Sequence, residues 1–325
     1  MRKALVTGGA GFIGSYIVEA LLTSQWRVDC VDNLSTSRIS NLKDVMGNRR
    51  FRFFKGSITD RVLMQRLIKG CDIIFHMAAA VGVTNILKHP LESILTNVKG
   101  TEVILEFAAQ YHKKIILAST SEVYGKHICA PFREDDDRVL GPTNKSRWSY
   151  AETKAIDEFL ALAYHQEKKL KVVIVRFFNT VGPRQVGSYG MVLPRFVQQA
   201  LSGKPLTVYG DGAQLRCFAH VKDVVRAVIA LSNKREAEGE IFNIGSDELI
   251  SIKQLAQKIK KKTGSRSAIR SIAYEKALGK YAKDFEEIDC RIPDLNKIKR
   301  CIGYCPRYTT DLIIDEVVAH FKRGK

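Results

Sequence analysis

Glycines at positions 8, 11 and 14 stand between a short apolar run, Lys3 to Thr7, and an amphipathic stretch, Phe12 to Leu22. The order reads as strand, tight loop and helix, and it constrains the fold more than any other segment. Glycines at this spacing let the backbone approach a pyrophosphate, whose charge then rests at the positive N-terminus of the following helix. Gly8, Gly11, Phe12, Ile13 and Gly14 are therefore candidate cofactor contacts. Three glycines alone can also mark a tight turn, but the next segment adds weight. A second apolar run, Arg27 to Val31, ends in Asp32, where a carboxylate accepts hydrogen bonds from an adenosine ribose. The same carboxylate repels the 2′-phosphate of NADP, so NAD is the expected cofactor, with Asn33 beside it and Arg38 nearby as an opposing charge.

Further short apolar runs recur at 51–54, 73–77, 115–119 and 172–178, mostly separated by helical patterns. That alternation predicts an α/β protein with a Rossmann-type doubly wound parallel sheet. Beyond Gly182-Pro183 the rhythm becomes irregular, punctuated by Gly187, Gly190, Pro194 and further Gly and Pro residues up to Gly212. Residues 1–178 are expected to form the cofactor domain and 179–325 a smaller, partly interleaved C-terminal substrate domain. A segment near 215–235, with a helix from Asp223 to Ser232, is expected to return to the first domain.

Tyr150 and Lys154 lie one helical turn apart on the same face. A nearby ammonium stabilises a phenolate, so such a tyrosine can take a proton from a hydroxyl while hydride leaves the same carbon. The pair is common in unrelated chains. It gains meaning from Ser119-Thr120-Ser121-Glu122-Val123-Tyr124-Gly125, which follows a strand and so falls at the carboxyl edge of the sheet, where ligands bind.

On these motifs the chain resembles the extended short-chain dehydrogenase/reductases that act on nucleotide-sugars. The likeness runs through His76-Met-Ala-Ala-Ala80, Asn97-Val-Lys-Gly-Thr101, Arg176-Phe-Phe-Asn179, Val181-Gly-Pro-Arg184 and Arg291-Ile-Pro-Asp294. The resemblance implies that Thr120 hydrogen-bonds the reacting sugar oxygen, Tyr150 is the base, and Lys154 binds the nicotinamide ribose and tunes Tyr150. It implies cofactor contacts from Ala78, Ala80 and Asn97. Many relatives carry Asp in the turn after the third strand, where this chain has Ser57 and Ile58. By the same likeness Ser121, Asn179, Arg216 and Arg291 face the substrate's diphosphate or sugar, and Val192, Leu193, Val208 and Tyr209 fall where the base pocket is built. A homodimer pairing helices around 100–112 and 150–166 is likewise implied, as is a role in cell-surface polysaccharide or glycan precursor synthesis.

Members of this family begin by oxidising a ring carbon, usually C4, and differ in the fate of the ketone. Ser121-Glu122 stands where the dTDP-glucose 4,6-dehydratases need an Asp-Glu pair, which disfavours that reaction. Residues 132–150, with Arg216-Cys-Phe218, resemble bacterial decarboxylases of lipid A modification, and Glu122 and Arg216 become candidates to orient a carboxylate. Phe178-Asn-Thr-Val-Gly-Pro-Arg184 and Tyr189-Gly-Met-Val192 resemble UDP-glucose and UDP-glucuronate 4-epimerases. The sequence reading favours a 4-epimerase on a UDP-hexose or UDP-hexuronate, with UDP-glucuronate decarboxylase the alternative.

The chain carries 52 Lys and Arg against 34 Asp and Glu, a formal charge of +18. An anionic nucleotide substrate accounts for part of this, and a non-catalytic RNA- or protein-binding relative is the competing reading. The only dense lysine run, Lys258 to Lys262, shares a helix with Leu255, Ala256 and Ile259 and reads as a solvated face. An intact Thr120, Tyr150 and Lys154 trio argues for catalysis, since a binding module does not need it. Seven cysteines (Cys30, Cys71, Cys129, Cys217, Cys290, Cys301 and Cys305) form no CxxC pair, so reduced packing residues and no metal are expected. No apolar run is long enough to span a bilayer, and the expected location is the cytoplasm.

Overall fold

The computed structural model describes residues 1–126, 131–187 and 191–323, and within them no side chain of 83–85. Cys129, Tyr189 and Gly190 lie outside the described residues. The first half of the chain runs β1 (Lys3–Thr7), α1 (Phe12–Thr23), β2 (Arg27–Asp32), β3 (Phe51–Lys55), α2 (Arg61–Lys69), β4 (Ile73–His76), α3 (Val83–Lys88), α4 (Pro90–Gln110) and β5 (Lys114–Thr120). It continues through α5 (Ser149–Lys168), β6 (Val172–Phe177), β7 (Thr180–Val181), α6 (Val192–Leu201), β8 (Leu206–Tyr209), β9 (Leu215–Cys217), β10 (Ala219–His220), α7 (Val221–Ser232) and β11 (Glu240–Ile244). The last part holds β12 (Leu249–Ser251), α8 (Ile252–Thr263), β13 (Ile269–Ile272), α9 (Tyr274–Leu278), β14 (Cys290–Arg291), α10 (Asn296–Ile302) and α11 (Thr310–Arg323).

Seven strands form one parallel sheet in the order β3-β2-β1-β4-β5-β6-β11. Along each strand successive side chains point to opposite faces, and the apolar runs divide accordingly. Leu5, Val31, Ile74, Leu117 and Ile174 meet α2, α4 and α5 on one side. Val6, Val28, Phe75, Ile116 and Val175 meet α1 and α7 on the other. Both faces are covered, which is why these runs are continuously apolar rather than alternating with polar residues. Each such side chain stabilises the fold by roughly 1.5–3 kcal/mol through removal from water. The register sets Thr7 level with Val31 and His76, and Thr120 level with Phe177. The carboxyl ends of the strands therefore open on one edge, and strand order reverses between β1 and β4, which makes a crevice there.

The expected doubly wound parallel sheet is the fold observed. Two details differ. Within the 215–235 segment, residues 215–217 pair with β12 and β14 in the smaller unit, whereas α7 packs on the main sheet beside α1, and β11 later adds the edge strand. Helix α4 starts at 90 rather than near 100, because Pro90 opens its first turn with a backbone angle already suited to a helix.

The smaller unit gathers α6, α8 and α11 around Leu193, Phe196, Leu255 and Ile313. The lysine run on α8 faces α11, where Lys258 pairs with Asp311 at 2.8 Å and Lys262 with Asp315 at 2.7 Å. These exposed pairs add at most about 1 kcal/mol each, but they show where part of the surplus charge is held. Among the described cysteines none is in a disulfide, and Cys30, Cys71 and Cys217 are buried. Among the described residues no group of His, Cys, Asp or Glu is arranged to hold a metal ion, and no helix is long and apolar enough to cross a membrane.

Candidate active site

One cleft of about 1020 Å³ runs along the carboxyl edge of the sheet and under the smaller unit. Its floor is the turn after β1. Gly8 has a φ of +68°, and a Cβ there would lie 2.7 Å from the Ala78 backbone. A Cβ on Gly14 would meet the Gly8 carbonyl and lie 2.8 Å from Gly9 Cα. Only glycine fits these two positions, and the close packing leaves the first amides of α1 aimed into the cleft without helical partners. At the end of β2, Asp32 accepts from Ala10 N at 3.0 Å, Leu34 N at 2.8 Å and Ser37 Oγ at 2.6 Å. Among the described residues no ion pair neutralises it, so an anionic acceptor lines the cleft a short distance from an anion-binding helix start. This combination suits a pyrophosphate next to a ribose diol.

The reacting end lies across the sheet. Thr120 ends β5, and its Oγ1 accepts from Glu122 N at 3.2 Å, fixing a tight turn over Ser121–Tyr124. Tyr150 is the second residue of α5 and Lys154 lies one turn on; both line the cleft with Thr120. Burial, then the charges of Glu122 and Asp157, push the Tyr150 phenol above its ordinary value. Lys154 does not act on it alone, since its Nζ donates to Asp157 Oδ2 at 2.7 Å. The ammonium one turn from Tyr150 is thus held in a buried ion pair with Asp157.

A cluster of arginines closes the site. Parallel pairing of β9 with β14 puts Arg216 level with Arg291. Glu122 Oε1 accepts from Arg291 Nη1 at 3.2 Å, and its Oε2 from Arg147 Nη1 at 2.9 Å. Burial alone would raise the Glu122 carboxyl, but the two guanidinium groups outweigh it and hold the group below the ordinary range. Arg216 donates to Glu287 Oε1 at 2.8 Å, and Tyr274 donates to the other oxygen at 2.8 Å. Burial, then the charge of Arg291, lowers Arg216 to about 10, so it stays protonated near neutrality. Three guanidinium groups against two carboxylates leave one net positive charge facing the cleft.

Most of the residues singled out from sequence meet here: Gly8, Gly11, Phe12, Ile13, Gly14, Asp32, Asn33, Ile58, Ala78, Ala80, Ser121, Asn179, Val192, Leu193, Tyr209, Arg216 and Arg291 all line the cleft. Three do not. Ser57 turns away to Thr59, with their hydroxyls 2.7 Å apart. Asn97 is buried behind the lining, where its Oδ1 accepts from Ala80 N at 2.7 Å and so holds the strand-end loop. Val208 is 1% exposed in the core of the smaller unit, because strand alternation that turns Tyr209 inward to the cleft turns Val208 away. Sequence reasoning passed over Arg147, Arg195, Tyr274 and Glu287 as site residues. Arg147 lies three residues before Tyr150, at the turn that starts α5, inside the 132–150 segment that resembles the decarboxylases, and its own role was not drawn from either signal.

Such a cleft belongs to a dinucleotide-dependent enzyme of the short-chain dehydrogenase/reductase superfamily. Residues 4–245 match the family described as NAD dependent epimerase/dehydratase, and the chain belongs to that family. NAD is its cofactor, and the glycine cradle and Asp32 fit it. The chain is 42% identical over 322 residues to the UDP-N-acetyl-alpha-D-glucosaminuronate decarboxylase of Bacillus cytotoxicus, spanning 99% of this chain and 98% of that protein. It is 31% identical to UDP-glucuronic acid decarboxylase 1 of Danio rerio, over 99% of this chain and 73% of the relative. Among solved structures, the UDP-glucuronic acid 4-epimerase of Bacillus cereus in complex with UDP-glucuronic acid and NAD superposes with a TM-score of 0.88 at 29% identity, over 100% of both chains.

Proposed function

We propose that this enzyme decarboxylates a UDP-linked hexuronate, UDP-glucuronate or its 2-acetamido counterpart. The observation that carries this reading is the buried Arg147–Glu122–Arg291 clamp at the turn after Thr120, on the cleft that Tyr150 also lines. A sugar carboxylate is the group that such guanidinium forks recognise. The decarboxylase relatives support the reading.

NAD, which the glycine turn and Asp32 would hold, would supply a reversible hydride acceptor for the sugar carbon. Tyr150 takes the proton of the C4 hydroxyl, and Thr120 donates a hydrogen bond to the oxygen that becomes a ketone. The product is a β-keto acid. The clamp then needs only to align the C5–C6 bond with the ketone: the bond breaks, its electron pair delocalises onto the ketone as an enolate, and neutral carbon dioxide leaves. C5 is reprotonated before the ketone is reduced. Glu122 has a clear task in this scheme. An uncompensated arginine pair would stabilise the carboxylate more than the departing neutral product, and that ground-state binding would slow the step; Glu122 offsets the charge while leaving the forks in place.

The 4-epimerase preferred from sequence is the second reading, supported by the likeness to the Bacillus cereus epimerase. Both reactions share the first oxidation and part at the carboxylate. Incubating the purified protein with each UDP-hexuronate and following products by proton NMR and mass spectrometry separates them. Loss of carbon dioxide supports decarboxylation; an unchanged mass with inverted C4 coupling overturns it for epimerisation.

We further propose that 1–178 form the cofactor domain, which also supplies Thr120, Tyr150 and the Arg147–Glu122 side of the clamp, that 179–325 form the substrate domain, and that the chain forms a homodimer. Leu91 and Leu95 on α4 and Ile156 and Phe159 on α5 are 69%, 40%, 44% and 66% exposed, on two helices that pack together. Exposed apolar side chains on two packed helices support pairing with a second copy.

A further inference from the structure

Part of the surplus positive charge is ordered by the main sheet. Arg27 opens β2 level with Lys3, and Val28 N donates to the Arg50 carbonyl at 2.8 Å, which sets Arg50 at the entry to β3. Lys114 opens β5, and Ile115 N donates to the Lys171 carbonyl at 2.9 Å, which sets Lys171 at the entry to β6. With strands about 4.8 Å apart, the row from β3 across to β6 is about 24 Å long. It follows the amino edge of the sheet, opposite the edge that carries the cleft. Along it a concavity of about 640 Å³ is lined by Arg2, Lys114, Lys171 and Arg235, with Ser232 and Asn233 beside them.

The carboxylates of that concavity are engaged. Asp72 accepts from Lys3 N at 2.7 Å, and Glu238 pairs with Lys114 at 3.0 Å. Arg2 has neutral partners, Asn233 Oδ1 at 2.8 Å and the Trp26 ring, whose centroid lies 4.0 Å from the guanidinium carbon. Arg50 meets Gln25 Oε1, which is also neutral. Arg27, Lys171 and Arg235 are exposed, and among the described residues none of them has an ion-pair partner. Helix dipoles do not absorb this excess. Helices α1, α2, α4, α5 and α7 run back against the strands, so their negative ends meet at this edge, each about half a charge and about −2.5 in all. Arg66 and Lys69 in the last turn of α2 and Lys168 in that of α5 already offset that sum. Even with Glu236 set against its neighbour Arg235, the row stays positive.

We propose that the amino edge of the sheet is a docking surface for the phosphate backbone of single-stranded RNA, a second binding activity independent of the reaction in the cleft. The row is longer than a small phosphate ester, and no apolar side chain lines the concavity to hold a ligand body. A bilayer presents its charge to a flat or convex face, whereas a strand of phosphates can enter a concavity. No Phe, Tyr or Trp lines it for base stacking, and Trp26 is 8% exposed beneath Arg2, so the contact is to phosphate.

The test is fluorescence anisotropy of a labelled oligouridylate of about 20 nucleotides with the full-length, NAD-loaded protein. Binding is expected at about 50 mM salt, and with about four phosphates neutralised its log–log salt slope should be about −3. Lys171→Glu/Arg235→Glu should weaken it by about tenfold or more with NAD affinity unchanged. Lys204→Glu/Lys299→Glu, at exposed positions outside the row, makes the same change in net charge and should cost less than about twofold. An equal loss in both pairs means that net charge alone acts, and overturns the proposal. Saturating NAD and UDP should leave the RNA bound; displacement would put it in the cleft and overturn the proposal as well. Should Lys171→Glu/Arg235→Glu fold poorly, Lys171→Gln/Arg235→Gln should still weaken binding by about threefold, and no change would count against the edge equally. Absence of RNA binding rejects the proposal outright; if mixed phosphatidylcholine and phosphatidylserine vesicles then capture the wild type but not the Lys171→Glu/Arg235→Glu variant, the edge is a membrane surface instead.

Discussion

Arg291 stands level with Arg216 on the neighbouring parallel strand, so two guanidinium groups project to the same face of a three-stranded sheet. Like charges opposed in this way repel. The arrangement persists because each arginine has its own carboxylate, Glu122 for Arg291 and Glu287 for Arg216.

Glu122→Gln removes the charge between Arg147 and Arg291. Decarboxylation should slow by about tenfold or more, while KM for the uronate falls as the arginines gain uncompensated charge. Leaving buried cations unpaired should also destabilise the fold by about 3–5 kcal/mol. Carbon dioxide release and thermal melts measure both. A normal rate with a normal KM would remove Glu122 from the mechanism.

Tyr150→Phe should reduce turnover by about 10²–10⁴ while NAD affinity stays within a few-fold, because the lost group moves a proton. Steady-state kinetics beside a fluorescence titration of NAD would show the split.

Gly8→Ala places a methyl group 2.7 Å from the Ala78 backbone at a φ of +68°. NAD binding should weaken at least tenfold, and stability should fall by more than about 1 kcal/mol from backbone strain. Asp32→Ala should weaken NAD comparably and should also cost about 1–3 kcal/mol of stability, because Ala10 N, Leu34 N and Ser37 Oγ lose their acceptor; calorimetry measures both effects.

Burial, then the charge of Lys154, lowers His76 to about 3. The unfolded chain binds a proton at this residue near pH ~6.5, whereas the folded one does not until far lower. The resulting stability is complete above that unfolded value and is lost as pH falls toward the folded one, by a few kcal/mol in all. Urea midpoints should decline from pH 7 to pH 4, and the decline should be shallower in His76→Asn. Glu122 acts in the same sense at lower pH: its folded value is depressed, so its contribution is lost as the pH drops below the ordinary glutamate range.

Phe159→Glu, at a position 66% exposed on α5, should leave the monomer folded and dissociate the proposed dimer. Light scattering coupled to size exclusion reads this directly; a monomeric wild type would reject the dimer.

What could be read from the chain was what local pattern determines. The glycine turn, Asp32 at a strand end, and Tyr150 with Lys154 one helical turn apart all depend on neighbours within a few residues. What escaped depends on distant partners. Arg147 and Arg291 converge on Glu122 from 25 and 169 residues away, and no short window shows that. Val208 and Tyr209 looked equivalent until the direction of β8 decided which one reached the cleft. The sequence preference for epimerase over decarboxylase gained no specific support, and the Arg147–Glu122–Arg291 contacts on which the proposed decarboxylation rests are tertiary.

The chain leaves the main sheet after β6 and supplies its edge strand only at β11, more than 60 residues later. The dinucleotide cradle is complete long before that edge is made, and β14 delivers Arg291 later still. During synthesis the residues of the glycine turn and Asp32 therefore emerge well before Arg291, so the cofactor end of the cleft is encoded first and the proposed clamp is completed last.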